Sequence, residues 1–123
     1  MTIATAIALV MFAVAPAQAI ETVDVAFEEL AAGENQAAIR EINENEALDG
    51  DDPARLLNLG VAHAREGDVE TAREMFRAAV FSDDRQMLET ADGEWVDSRA
   101  LARQALAKLD SGEFSSTRMA ANR

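Results

Sequence analysis

Residues 56–76, with the sequence LLNLGVAHAREGDVETAREMF, have the pattern of a helix, a stop and a second helix. Residues three or four apart lie on the same side of a helix, and four residues of the first segment share such a face: Leu56, Leu59, Gly60 and His63. Gly67-Asp68 interrupts this pattern, and Ala72 and Phe76 then resume it at helical spacing. The stretch therefore predicts two helices that pack against each other as a hairpin.

The ends of these two helices carry local signals. Asp52-Pro53 is a good start for the first helix, because aspartate accepts hydrogen bonds from free amides and proline favours the first helical turn. Gly67 can adopt the left-handed conformation that ends a helix, and Asp68 can cap the next one. The local signals and the hydrophobic pattern therefore predict the same hairpin.

A weaker copy of the hairpin lies 34 residues earlier. The segment ELAAGENQAAIREI (29–42) aligns with HAREGDVETAREMF (63–76), and four pairs of positions correspond: Gly33 with Gly67, Glu34 with Asp68, Ala38 with Ala72, and Ile42 with Phe76. A period of 34 residues with a helix–turn–helix unit is the signature of the tetratricopeptide repeat.

Residues 53–86 resemble a unit of that family. Leu56 stands where the family pattern has Trp, Leu59-Gly60 match its Leu-Gly, and His63 takes the Tyr position. Together with the turn and the second helix, the resemblance implies these packing positions: Leu56, Leu59, Gly60, His63, Gly67, Ala72 and Phe76. Asp84 lies near the position of the family's closing proline, so that stop is absent.

Residues 20–52 are predicted to form a degenerate first unit, with helices over about 20–32 and 35–48. Val25-Ala26 stands where the pattern has Leu-Gly. Departure from the pattern is typical of a terminal repeat, because one side of it faces water.

The period fails after the second unit. Asp92-Gly93 favours a two-residue β-hairpin turn within 87–97, in a register that places Thr90 opposite Trp95, with Leu88 on the same face. An irregular loop is the alternative. Residues 97–110 predict a closing helix capped by Asp97 or Ser98, and residues 111–123 a loose tail. The predicted fold is thus all-α: a short right-handed α-α superhelix of two hairpins and a closing helix, with a small β-hairpin or loop before the last helix.

Residues 1–19, MTIATAIALVMFAVAPAQA, have the pattern of a secretory signal peptide. An uncharged apolar run is followed by Pro16 and by small residues at Ala17 and Ala19, as before a cleavage site. No Lys or Arg precedes the run. We therefore expect export to the periplasm with cleavage after Ala19, and the alternative is an uncleaved anchor in the inner membrane.

Composition excludes several classes of function. The 123-residue chain has a net charge of −12, and residues 20–52 carry eleven acids against Arg40 alone. Nucleic acid needs a basic surface and is therefore an unsuitable partner. The acidic segment is either a solvated surface or a docking surface for a basic segment of a partner. The chain has no cysteine, so disulfides, thiolate metal sites and cysteine nucleophiles are excluded.

Catalytic and cofactor motifs are absent from the sequence. His63 is the only histidine and takes a packing position of the repeat; the serines lack a G-x-S-x-G context. The segment Asp49-Gly50-Asp51-Asp52 lacks the glycine and glutamate of a calcium loop. We expect no enzymatic activity and no cofactor or metal.

The resemblance implies that the leading helix of each unit lines a concave groove that holds a peptide or another protein. By position, the groove candidates are Phe27, Leu30, Leu57, Asn58, Val61, Ala64 and Arg65. The expected function is a non-catalytic interaction module of the bacterial cell envelope. Two alternatives remain: an accessory subunit of a membrane complex held by an uncleaved anchor, and an unrecognised enzyme or divalent-metal binder that uses the acidic first unit.

Overall fold

A computed structural model of the chain describes residues 25–115. Its elements, in chain order, are α1 (Phe27–Ala31), α2 (Asn35–Glu44), α3 (Pro53–Arg65), α4 (Val69–Phe81), β1 (Met87–Glu89), β2 (Trp95–Asp97) and α5 (Ser98–Asp110). Residues 113–115 form one more helical turn. The described part is mostly helical with one two-stranded antiparallel sheet, which agrees with the predicted all-α class.

Aspartate caps define the starts of the three longest helices. The carboxylates accept hydrogen bonds from backbone amides three residues on: Asp52 from Arg55 (2.9 Å), Asp68 from Thr71 (3.3 Å) and Asp97 from Ala100 (3.1 Å). Asp97, rather than Ser98, is therefore the cap of α5. Gly67 has a φ of 89° in the turn between α3 and α4, as predicted for a residue that ends a helix.

The helices of the first unit are shorter than predicted. Ala26 has a left-handed backbone (φ 63°) directly before α1, so the described part of this helix cannot extend further back. Asn45 is extended, and its side-chain oxygen accepts a hydrogen bond from the amide of Ala47 (3.0 Å), which replaces the next helical turn. The predicted helix over 35–48 therefore ends at Glu44.

Helix α3 lies at the centre of the packing, between two buried clusters. The first cluster joins α3 to α1 and α2 and contains Ala26, Leu30, Ala38, Ile42, Leu59 and Ala62. The second joins α3 to α4 and α5 and contains Leu56, Leu57, Ala64, Ala72, Phe76, Ala79, Ala102, Ala105 and Leu109. Because both clusters draw on α3, the two helical hairpins and α5 share one continuous core.

Residues 87–97 form a β-hairpin, but the predicted register is wrong by one residue. Glu89 lies opposite Trp95 and Leu88 opposite Val96, so Leu88 and Trp95 are on opposite faces. A type I′ turn needs positive φ at both central residues, and of Asp92-Gly93 only Gly93 has it (φ 88°). Residues 91–93 instead form a three-residue loop closed by the bond from Thr90 N to Glu94 O (2.8 Å).

One buried serine attaches the base of the hairpin to the start of α5, and a second joins the end of α4 to the segment before α3. Ser98 Oγ accepts a hydrogen bond from the amide of Gln86 (3.1 Å), and Ser82 Oγ donates to the carbonyl of Asp51 (2.7 Å). Arg99 adds a bond from its guanidinium to the carbonyl of Ser82 (2.8 Å). These contacts hold the base of the hairpin beside the ends of α4 and α5.

The loose tail was predicted to begin at residue 111, but residue 114 still packs against the helices. The ring of Phe114 stacks on that of Phe76, with centroids 6.0 Å apart and an interplanar angle of 27°. Phe114 therefore packs against the second cluster, although it lies in the segment predicted to be a loose tail. Residues 116–123 lie outside the described part of the chain.

Asp97 offers a test of the hairpin–helix junction. It caps α5 and forms an ion pair with Arg85 (2.6 Å), whose hydrogen bond holds the pKa of Asp97 below its usual value. We expect Asp97→Ala to lower the melting temperature at pH 7 more than Asp97→Asn, because asparagine retains the cap. Thermal melts of both variants followed by circular dichroism make the comparison.

The pH dependence follows from the sign of the pKa shift. Because the folded-state pKa is lowered, the charge of Asp97 stabilises the fold above the ordinary aspartate pKa of about 3.9. This contribution disappears as the pH falls through the lower folded-state value. The melting temperatures of wild type and Asp97→Asn should therefore converge on acidification. A difference in melting temperature that stays constant with pH would contradict this role of the ion pair. So would an equal pH-dependent difference for the exposed control Asp83→Asn.

Candidate functional site: the exposed strip of the central helix

One face of α3 remains partly exposed between its neighbours. Its residues follow the spacing i, i+4, i+7 and i+11, which places them in a line along the helix; they are Ala54, Asn58, Val61 and Arg65. We call this line the α3 strip. Val61 lies at its centre and packs partly against both buried clusters, so the strip crosses the junction between them.

Helix α1 forms one border of the strip. The amide nitrogen of the Asn58 side chain donates to the carbonyl of Val25 (2.9 Å), and Arg65 Nη1 donates to the carbonyl of Leu30 (2.8 Å). One acceptor, Val25, precedes α1, and the other, Leu30, is the fourth of its five residues. These bonds fix the short helix against α3, although α1 has little length with which to stabilise itself.

Helix α5 forms the other border. Leu57 and Ala64, seven residues apart on α3, are buried in the same cluster as Ala102, Ala105 and Leu109 of α5. The adjacent face of α3 is therefore covered within the cluster that α3 forms with α4 and α5. The strip is thus the floor of a surface bordered on one side by polar contacts and on the other by apolar packing.

The structure assigns different surroundings to the seven predicted groove residues. Leu30, Leu57 and Ala64 are less than 9% exposed and lie in the core, so their side chains offer no surface to a partner. Phe27 is 55% exposed on α1, and Val61 is half-buried on the strip. Asn58 and Arg65 are half-buried and bind the backbone at Val25 and Leu30, so these two groove candidates also support the fold.

The residues predicted to pack the repeat occupy three kinds of position. Five of them are buried, as expected of packing residues: Leu56, Leu59, Gly60, Ala72 and Phe76. Gly67 is exposed in the turn between the helices. His63 is half-buried, and its Nδ1 lies 3.6 Å from Oδ2 of Asp68, the residue that caps α4. Four of these five lie at the interface of the α3–α4 hairpin, whereas Leu59 belongs to the cluster that joins α3 to α1 and α2.

Two features of the site were not found from the sequence. Ala54 belongs to the strip, and the same i, i+4, i+7, i+11 spacing could have identified it. Glu66 receives hydrogen bonds at 3.1 Å from Asn35 and from Gln36, which ties the end of α3 to the start of α2. No signal in the sequence pairs these residues, because they are 30 and 31 positions apart.

The acidic first unit surrounds a shallow depression of about 270 Å³ between α1 and α2. It is lined by Glu29, Ala37, Arg40, Glu41 and Glu44. Across residues 25–115, no three acidic or histidine side chains converge in a way that could hold a metal ion.

The signal-peptide and anchor predictions fall on residues 1–19, outside the described part. Among the described helices, none has the length and apolar character needed to cross a membrane. Comparison with protein-family models, with curated proteins and with solved structures gave no match. Inferences about function therefore rest on the residues of this chain.

Proposed function

We propose that this protein is a non-catalytic interaction module that holds a peptide or protein segment against the α3 strip. The observation that carries the proposal is the part-exposed line of Ala54, Asn58, Val61 and Arg65 between two flanking helices. A segment lying there would contact apolar surface at Val61 and polar groups on either side of it, at Asn58 and Arg65. Binding sites commonly combine apolar surface with a few polar groups in this way.

We further propose that the helices form a short right-handed superhelix of tetratricopeptide-like hairpins, with α5 as the closing helix. Equivalent residues 34 positions apart support this arrangement. Gly33 and Gly67 both have positive φ (79° and 89°) in the turns of their hairpins. The inward positions of the second helices also correspond: Ala38, Ala72, Ile42 and Phe76 all have 0% exposure.

A partner with a basic segment suits the charge of the first unit. The exposed acids of α1 and α2 include Glu28 and Glu44, and Glu28 lies on α1, the helix that borders the strip. Opposite charge would mainly speed encounter, and this contribution would weaken as salt screens it. We place the module in the periplasm if residues 1–19 are removed, and at the inner membrane if they are retained.

Binding to the strip is tested by blocking its centre. Peptides would be selected from a phage-displayed library on the full chain, and the tightest would be titrated calorimetrically. Val61→Lys places a long charged side chain on the strip, and we expect it to weaken binding at least tenfold, which corresponds to about 1.4 kcal/mol. The melting temperature of the variant shows whether the fold is retained.

Ala78→Lys is the matched control for this test. Ala78 is exposed on α4, so the variant adds the same charge without touching the strip. It should bind the selected peptide as the wild type does. Equal affinity of all three proteins, or failure to select any peptide, would contradict the proposed function. Asn58 and Arg65 are unsuitable test positions because they also hold α1.

A further inference from the structure

The β-hairpin presents an outward face that differs from the rest of the described surface. Side chains alternate between the two faces of a strand, and the register places four residues on one face: Met87, Glu89, Trp95 and Asp97. Leu88 is on the other face and packs against the second buried cluster. Met87, Glu89 and Trp95 are exposed on the side opposite Leu88, whereas the carboxylate of Asp97 turns back to cap α5. We call these four residues the hairpin face.

Two large apolar side chains of the hairpin face are exposed. Trp95 is 62% exposed and Met87 is 56% exposed. Because Met87 pairs with Asp97, two residues after Trp95, the two apolar side chains are diagonal neighbours. The hairpin is attached to the helices through Leu88 and Ser98, so neither exposed side chain is needed to hold it.

Glu89 is the closest cross-strand neighbour of Trp95. The pairs Thr90–Glu94 and Gln86–Ser98 are joined by backbone hydrogen bonds. Since bonded and non-bonded pairs alternate in an antiparallel ladder, Glu89 and Trp95 form a non-bonded pair, in which side chains lie closest together. A carboxylate therefore lies beside an exposed indole ring.

The charge of the hairpin is not balanced by bases of its own. Residues 86–97 contain four acids and no Lys or Arg. Asp97 is already paired with Arg85 and caps α5. Within residues 25–115, Glu89 and Glu94 make no ion pair. The surroundings of Trp95 are therefore both aromatic and negative.

We propose that the hairpin face is a second docking surface, separate from the α3 strip, that binds an arginine side chain in a basic segment of a partner protein. The guanidinium lies flat on the ring of Trp95, which attracts cations through its π face. Glu89 accepts hydrogen bonds from the same group, and the planar guanidinium fits both contacts at once. Met87 packs against the aliphatic part of the arginine.

The fluorescence of Trp95 can measure binding at the hairpin face directly. The chain has one tryptophan and no tyrosine, so its fluorescence reports on Trp95 alone. The full chain is titrated with the capped peptide GRGRGRG at about 0.15 M ionic strength. We expect a saturable change in emission, and no change with the glutamate analogue GEGEGEG.

Substitutions distinguish binding at the hairpin face from non-specific attraction of a basic peptide to an acidic chain. Glu89→Gln should weaken binding of GRGRGRG about two- to fivefold, and Trp95→Leu, measured calorimetrically, by a similar factor. The control Glu74→Gln removes one charge from the exposed side of α4 and should leave binding unchanged. Melting temperatures show that each variant is folded.

The outcomes distinguish this proposal from binding at the strip. Val61→Lys should bind GRGRGRG as the wild type does, because the strip is not involved. No response of Trp95 to GRGRGRG, an equal response to GEGEGEG, or equal losses for Glu89→Gln and Glu74→Gln would overturn the proposal. None of these results depends on whether a peptide binds the α3 strip.

Discussion

Phe76→Ala is expected to lower the free energy of unfolding by about 3–5 kcal/mol, as for other buried phenylalanines. The side chain is completely buried in the second cluster, and its ring stacks on Phe114. Removing it leaves a cavity between α3, α4 and the helical residues 113–115. These elements can fill the cavity only in part. Urea unfolding followed by far-ultraviolet circular dichroism measures the loss.

The neighbouring Arg77 provides the control for this variant. It is exposed on α4, and Arg77→Ala should change stability by no more than about 0.5 kcal/mol. If both variants unfolded at the same urea concentration, the inward orientation of Phe76 would be wrong. Because Trp95 is exposed, circular dichroism is a better probe of the core than fluorescence.

Gly60→Ala should cost about 1–3 kcal/mol by overpacking the interface between α3 and α4. A Cβ atom at Gly60 would lie 2.6 Å from Cδ1 and 3.0 Å from Cζ of Phe76, closer than real contacts allow. Alanine is ordinarily the better helix former by up to about 1 kcal/mol, so destabilisation here would have to come from the ring. The same urea titration measures it.

A double-mutant cycle isolates this contact. In a Phe76→Leu background the smaller side chain leaves room for a methyl group, so Gly60→Ala should cost less there than in the wild type. The difference between the two costs should be about 0.5–3 kcal/mol, the range for residues in contact. If the stability costs of the two substitutions were additive, contact with Phe76 would not be the reason that position 60 requires glycine.

The α3–α4 hairpin could be predicted because its signals are local. Asp52, Asp68 and Gly67 act on amides or turns within a few residues of themselves, and they occupy their predicted roles in the structure. The hydrophobic spacing likewise identified Phe76 and Ala72 as inward residues. Such features depend on backbone geometry that neighbouring residues set.

The candidate site was less predictable, since a side chain on the correct helix can be taken up by distant parts of the chain. Asn58 and Arg65 were correctly placed on α3, but their bonds go to the backbone at Val25 and Leu30. Leu57 and Ala64 were expected to line a groove, yet they are buried in the cluster with α4 and α5. The helix face was predictable from periodicity, whereas its coverage depends on elements more than 30 residues away.

The sequence by itself determined the helical class, the caps of the second hairpin and the residues at the α3–α4 interface. Only the tertiary structure decided that Phe114 stacks on Phe76 and that Trp95 faces outward beside Glu89. For Trp95 the reason is that the strands pair one residue away from the predicted register. Of Asp92-Gly93 only Gly93 adopts positive φ, so the loop has three residues rather than two. Since strand side chains alternate, that single residue moves the tryptophan to the opposite face from Leu88, which packs on the core.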